Sequence, residues 1–145
     1  MSFAILQVKK EEYPEIVEVW EASVRATHDF LRAEDIQYFK PLILNTYLDA
    51  VDLRCIKDSK GKILGFLGVV DQSIEMLFLH PDAIGKGIGR QLLNYAIETF
   101  GANKVDVNEQ NPEAVKFYQH CGFRVVSRSP LDPLGKPYPI LHLSL

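Results

Sequence analysis

The spacing of apolar residues changes several times along the chain, and each change marks an element. Phe3 to Val8 reads as a first strand. From Tyr13 the apolar positions Tyr13, Ile16, Val17, Trp20 and Val24 recur at helical intervals, with Pro14 tolerated in the first turn. A second helical stretch around Glu34 to Tyr47 carries Ile36, Phe39, Ile43 and Tyr47. Pro41 is expected to kink or split it, because proline lacks an N–H and crowds the preceding turn. Leu53 to Lys57 and Ile63 to Val70 then read as strands joined by a hairpin connection over residues 58–62. Ile74 to Leu79 extends this antiparallel meander.

After Pro81 the pattern is interrupted by Gly85, Gly87 and Gly89, and helical spacing resumes with Leu92, Leu93, Ala96, Ile97 and Phe100 on one face. Gly101 stands where a helix C-cap belongs. Lys104 to Val107 is a short strand. Asn111 and Pro112 suit the N-cap and first position of a helix bearing Ala114, Phe117, Tyr118 and Cys121, closed by Gly122. Phe117 is expected to take the buried position on it. Phe123 to Arg128 and Ile140 to Leu143 read as final strands. The loop between them holds Pro130, Pro133, Pro137 and Pro139 and is expected to be stiff and surface-exposed. The order β-α-α-β-β-β-α-β-α-β-β predicts an α/β fold, a mixed and mostly antiparallel sheet of about seven strands with about four helices on its faces.

Composition narrows the reading further. The 145 residues suit one domain spanning residues 1–145, with 47% hydrophobic and 24% charged residues, ordinary values for a globular protein. No apolar run approaches a membrane span and no signal-peptide layout opens the chain, so a cytoplasmic location without membrane association is expected. A net charge of −3 argues against nucleic acid as a partner. Cys55, Cys121 and four scattered histidines (His28, His80, His120, His142) lack metal-ligand spacing, so no metal is expected.

The candidate chemistry sits where the strand ending at Leu79 meets the glycine loop and the helix after it. Glycines allow backbone to approach a ligand closely, and a helix N-terminus adds unpaired N–H donors and a positive dipole end. Together these suit a pyrophosphate. A Walker loop is excluded because Ile88, not Ser or Thr, follows Gly85-Lys86-Gly87. A dinucleotide fingerprint fails because Arg90 occupies its third glycine position, although Asp106 lies at a suitable distance. A methyltransferase loop would want an acid at Ala83.

The loop Ile84-Gly85-Lys86-Gly87-Ile88-Gly89 fits (Gln/Arg)-x-x-Gly-x-(Gly/Ala), and residues 111–123 give N-x-x-A-x-x-F-Y-x-x-x-G-F. In this order and spacing the two segments resemble the GNAT acyl-CoA N-acyltransferases. Ala26 to Leu31 and Gly135 to Pro139 further resemble a small bacterial branch of that family. The resemblance implies transfer of an acetyl group from acetyl-CoA to a primary amine of a small-molecule or peptide acceptor. It implies coenzyme binding by Leu77, Phe78 and Leu79, by Ile84, Gly85, Lys86, Gly87, Ile88, Gly89 and Arg90, and by Asn111 and Tyr118. Tyr118 is implied as general acid, since a phenol with pKa near 10 holds a proton at neutral pH. Packing in the helix face is the competing reading of Tyr118. Glu75 or Glu109 can serve as general base through a water, or be solvated carboxylates. His28, Asp29 and Phe30 can line the acceptor pocket, or His28 can be structural. A homodimer is compatible with the family. One position departs from it: Ile84 stands where Gln or Arg is usual, and Lys86 or Arg90 can compensate. That departure motivates an alternative, a catalytically weak acyl-CoA-binding regulatory or interaction module.

Overall fold

The computed structural model describes residues 3–145. The chain runs through β1 (Ile5–Gln7), α1 (Tyr13–Thr27), α2 (Ala33–Leu42), β2 (Asp52–Lys57), β3 (Ile63–Val70), β4 (Ser73–Leu79), α3 (Ile88–Phe100), β5 (Lys104–Asn108), α4 (Pro112–His120), β6 (Arg124–Ser129) and β7 (Ile140–Ser144). This is the element order the periodicity predicts. The seven strands form one sheet in the order β1-β2-β3-β4-β5-β7-β6. Every neighbouring pair is antiparallel except β4 and β5, which are parallel.

Two apolar layers hold the helices to opposite faces. Leu92, Leu93 and Ala96 of α3 pack with Leu67, Ile74, Val105 and Leu143 on one face. Ile16, Trp20 and Val24 of α1 pack with Ile36 of α2, Phe66 and Met76 on the other. Strand β3 is buried on both sides, which is why it reads as an unbroken apolar run rather than an alternating one. Within it Gly65 lets the start of α3 sit against the sheet. A Cβ there would lie 2.7 Å from Leu79 and 3.4 Å from Ile88.

The predicted second helix is shorter than its spacing suggests. It ends at Leu42, directly after Pro41, and the chain continues as a wider π turn over Ile43–Tyr47. The missing N–H of Pro41 and the bulk of its ring account for the break in the regular ladder. The proline-rich loop is exposed over most of its length but not throughout. Tyr138 is buried, and its hydroxyl donates to the buried carboxylate of Asp35 at the start of α2.

The feature that makes a site is a failure of pairing. Strands β4 and β5 are in register only at Ser73–Lys104 and Ile74–Val105. Beyond those pairs they diverge, while β5 remains paired to β7 along its whole length and β4 to β3. A bulge marks the point of divergence: Gly68 faces Met76 and Val69 faces Ile74, leaving Glu75 unmatched. The extra residue bends the strand and reverses its alternation. Ile74 therefore joins the α3 layer while Met76 joins the α1 layer. The backbone edge of β4 from Glu75 onward is left open to a cleft.

Candidate active site

The cleft between the diverging strands opens into two connected cavities. The larger, about 290 Å³, runs from the edge of β4 to the start of α3 and to α4, with Leu77, Leu79, Gly89, Asn111 and Tyr118 among its walls. The second, about 210 Å³, lies under α1, α2 and the proline-rich loop, with Trp20, Phe39, Tyr47 and Tyr138 among its walls. His28, Glu75, Met76, Phe78 and Asn108 face both. These five residues form the junction.

At the outer end of the larger cavity the chain makes a row of N–H donors with no partner among the described residues. Gly85 and Gly87 adopt left-handed backbone, with φ of +86° and +78°, a conformation that costs other residues about 1–2 kcal/mol. The first helical hydrogen bond of α3 runs from Gln91 N–H to Gly87 O, at 3.0 Å. The N–H groups of Ile88, Gly89 and Arg90 thus precede the helical ladder, and they carry the positive end of the helix dipole. Ile84 is different. Its N–H donates to Pro81 O at 3.3 Å and its side chain is 55% exposed, so the nest of free amides begins at Gly85. Lys86 and Arg90 are both exposed beside this nest, and neither takes part in an ion pair among the described residues. The positions next to Ile84 can therefore supply the cationic contact that Ile84 lacks.

Helix α4 supplies the inner wall. The Asn111 side chain caps it, accepting from Ala114 N–H at 3.4 Å, and Pro112 occupies the first helical position. Packed against Phe123 and the sheet, Tyr118 rather than Phe117 turns fully inward. Tyr118 is 6% exposed and Phe117 only half-buried, the reverse of the sequence expectation. The Tyr118 ring packs edge-on against Phe117 and Phe123, with centroids 5.1 and 5.7 Å away. Burial, with a smaller push from Cys121, raises its pKa well above the ordinary phenol value. The group holds its proton at any physiological pH.

The two candidate carboxylates have different surroundings. Glu75, at the bulge, projects into the junction. Burial and the neighbouring Asp106 carboxylate push its pKa up. Glu109 lies outside both cavities and forms a two-point ion pair with Arg128, at 2.5 and 3.1 Å, which holds its pKa down. Of the predicted acceptor residues, His28 is 8% exposed and faces the junction. Phe30 packs between His28 and Tyr138, with centroids 5.2 and 5.9 Å apart, and so supports the wall from behind. Asp29 is exposed and lines neither cavity.

Sequence reasoning missed the group that shapes the second cavity. Asp35 is buried at 4% exposure, accepts from Tyr138 and lies 3.0 Å from Lys136 Nζ. These contacts hold its pKa down and fasten the loop after β6 onto α2. The only trace in the sequence is the Lys136-Pro137-Tyr138 segment, whose partner lies about 100 residues away.

Comparisons with known proteins identify the family and the fold. Residues 52–125 match the Acetyltransferase (GNAT) domain family. The chain is 39% identical to the peptidyl-lysine N-acetyltransferase YjaB of Escherichia coli K12 over 144 residues, covering 99% of this chain and 97% of that one. The solution structure of apo YjaB superposes with a TM-score of 0.90 over the same 99% and 97%. The N-acetyltransferase PaiA of Thermoplasma acidophilum, solved in complex with coenzyme A, shares the fold at 20% identity, with a TM-score of 0.72 and full coverage of both chains. Acetyl-CoA is the cosubstrate of such enzymes, and the open strand edge and amide nest described above are the features that suit it. The chain belongs to the GNAT family and is an N-acetyltransferase.

Proposed function

We propose that the protein, acting as one catalytic domain, acetylates a primary amine by direct attack on acetyl-CoA, with the Nε amine of a lysine side chain as the preferred acceptor class. The observation that carries this reading is the junction, where one cavity built for a coenzyme meets a second with apolar walls and an acidic end. In this reading the diphosphate rests on the amides of Gly85 to Arg90, with Lys86 and Arg90 beside it. The pantetheine arm lies along the open edge of β4 at Leu77 to Leu79 and completes the interrupted ladder. An N–H near Leu77 polarises the thioester carbonyl.

The amine enters from the other side. Trp20, Phe39 and Phe78 offer apolar surface to a methylene stem, and Glu75 waits at the junction for the ammonium group. The proton of the ammonium passes to Glu75 through a water. The free amine attacks the carbonyl carbon, the C–N bond forms, the nitrogen's second proton passes through the same water to solvent, and the C–S bond breaks. Tyr118 gives its hydroxyl proton to the departing thiolate and regains one from solvent. The raised pKa of Glu75 brings it closer to neutral pH, as a base for this step needs. Glu109, committed to Arg128, has no part in it. The peptidyl-lysine activity named for the relatives supports the acceptor class.

The test combines binding and turnover. Acetyl-CoA at 100 times its dissociation constant should add about 2.7 kcal/mol to stability, read as a rise in melting temperature. With a lysine-bearing peptide the protein should release free thiol and increase the peptide's mass by one acetyl group. A raised melting temperature with no thiol release from any amine would favour the non-catalytic module that Ile84 motivates. No shift at millimolar acetyl-CoA would remove the binding claim.

A further inference from the structure

His28 closes α1 and sits at the point where the two cavities meet, and its hydrogen bonds decide which ring nitrogen carries the proton. Thr27 Oγ1 lies 2.7 Å from Ser23 O and 2.8 Å from His28 Nδ1. A carbonyl oxygen can only accept, so the single hydroxyl proton of Thr27 is committed to Ser23. The contact with the ring then requires Nδ1–H to donate to Thr27. The other end of the ring gives the same answer independently. Asn111 Oδ1 accepts from Ala114 N–H, which turns the Asn111 amino group toward His28 Nε2, at 3.5 Å. An amino group only donates, so Nε2 must accept. Both ends specify the Nδ1–H tautomer.

The ring is neutral as well as oriented. Burial lowers the His28 pKa to about 4, against a smaller upward pull from Asp29. At neutral pH the Nε2 lone pair is therefore present. Its one protein partner among the described residues, Asn111, is at the outer limit of hydrogen-bond distance. A ligand N–H arriving at the junction is a better donor than Asn111 at that separation.

We propose that His28 Nε2 is the hydrogen-bond acceptor that orients the attacking amine, with Thr27 holding the ring in the required tautomer. This rests on the acetyl-transfer reading above. One N–H of the free amine is held by Nε2, which leaves the nitrogen lone pair directed at the thioester carbon. Glu75 remains the proton sink, so no proton need reside on the imidazole. His28 touches substrate in this arrangement. Thr27 acts through His28 and is a positioning residue.

Three variants and one spectrum test the proposal, with Nα-acetyl-lysine methylamide as acceptor. His28→Phe should lower kcat/KM for this acceptor by roughly 10²-fold, most of it in kcat, with acetyl-CoA affinity within about twofold of wild type. His28→Gln, which places a carbonyl oxygen near the Nε2 position, should recover part of the loss. Thr27→Val should lower kcat without changing coenzyme affinity. In ¹⁵N spectra the wild-type His28 ring should show the Nδ1–H tautomer, the Thr27→Val ring should lose that preference, and adding the acceptor should shift Nε2. A His28→Phe protein that binds acetyl-CoA and keeps wild-type kcat/KM would overturn the proposal, as would a wild-type ring in the Nε2–H tautomer. If wild type itself fails to acetylate any amine, the acetyl-transfer reading fails. The tautomer and the Nε2 shift on adding acceptor then decide the role of His28 by themselves.

Discussion

The two arms of the cleft are built from different materials. The arm proposed for the coenzyme is made mostly of backbone: the open edge of β4 and the amides of Gly85 to Arg90. The arm proposed for the acceptor is made of side chains from α1, α2 and the loop after β6, brought together by the Asp35–Tyr138 and Asp35–Lys136 contacts. Main-chain donors recognise a diphosphate whatever side chains surround them, provided the backbone takes the right path. Side-chain walls recognise an acceptor only through their identity and packing. The first arm should therefore respond to changes in backbone conformation, and the second to changes in side-chain anchoring.

The largest effect expected belongs to the boundary between the arms. Tyr118→Phe should reduce turnover by roughly 10²-fold or more while coenzyme affinity stays near wild type, because only the proton to the leaving thiolate is lost. Steady-state kinetics with separate calorimetric titration of acetyl-CoA checks this, and unchanged kcat would take Tyr118 out of the mechanism. Gly87→Val should next weaken coenzyme binding by about tenfold or more, the added strain of about 1–2 kcal/mol falling on the loop. The reason is conformational rather than steric, since a Cβ at Gly87 meets nothing within 4 Å while φ is +78°. Acceptor affinity should move little. Wild-type coenzyme affinity in the folded variant would refute the amide nest.

Asp35→Asn makes the opposite cut. It should raise the acceptor KM by roughly tenfold through loss of the loop anchor, with coenzyme affinity unchanged. A parallel change in coenzyme affinity would mean that the two arms are not separable.

These contrasts explain what was legible in the sequence. The strand run ending at Leu79, the alternating glycines and the Asn111-Pro112 cap announce themselves locally, because each reflects a backbone requirement met within a few residues. The order of elements was legible for the same reason. The inward turn of Tyr118 was not, because the rotation of α4 depends on packing against Phe123 and the sheet rather than on its own spacing. The departure of Ile84 looked like a loss of one phosphate contact. The structure adds that its N–H is also spent, on Pro81, and that Lys86 and Arg90 in the same loop and helix start have no ion-pair partner among the described residues. The anchor at Asp35 left no local mark, since its partners come from a segment at the other end of the chain. Glu75 was visible as a carboxylate, but its place at a bulge followed from a pairing register that one strand cannot reveal.

The smallest effect concerns acid stability. His28 has a folded pKa of about 4 against an ordinary 6.5. Between those values the unfolded chain takes up a proton that the folded chain refuses. The stability associated with the neutral ring is therefore complete above pH 6.5 and is lost as pH falls toward 4, at no more than about 1.4 kcal/mol per pH unit. Urea unfolding over this range should show a shallower slope for His28→Gln than for wild type. Identical slopes would mean that His28 is not held neutral by the fold.

The central claim is that the divergence of β4 from β5 exists to receive a coenzyme. A crystal structure of the protein with acetyl-CoA tests it most directly. The account predicts the diphosphate within hydrogen-bond distance of the amides between Gly85 and Arg90, the pantetheine arm alongside Leu77 to Leu79, and the sulfur next to the Tyr118 hydroxyl. A coenzyme bound elsewhere, or strands closed together with the cleft empty at saturating acetyl-CoA, would contradict it.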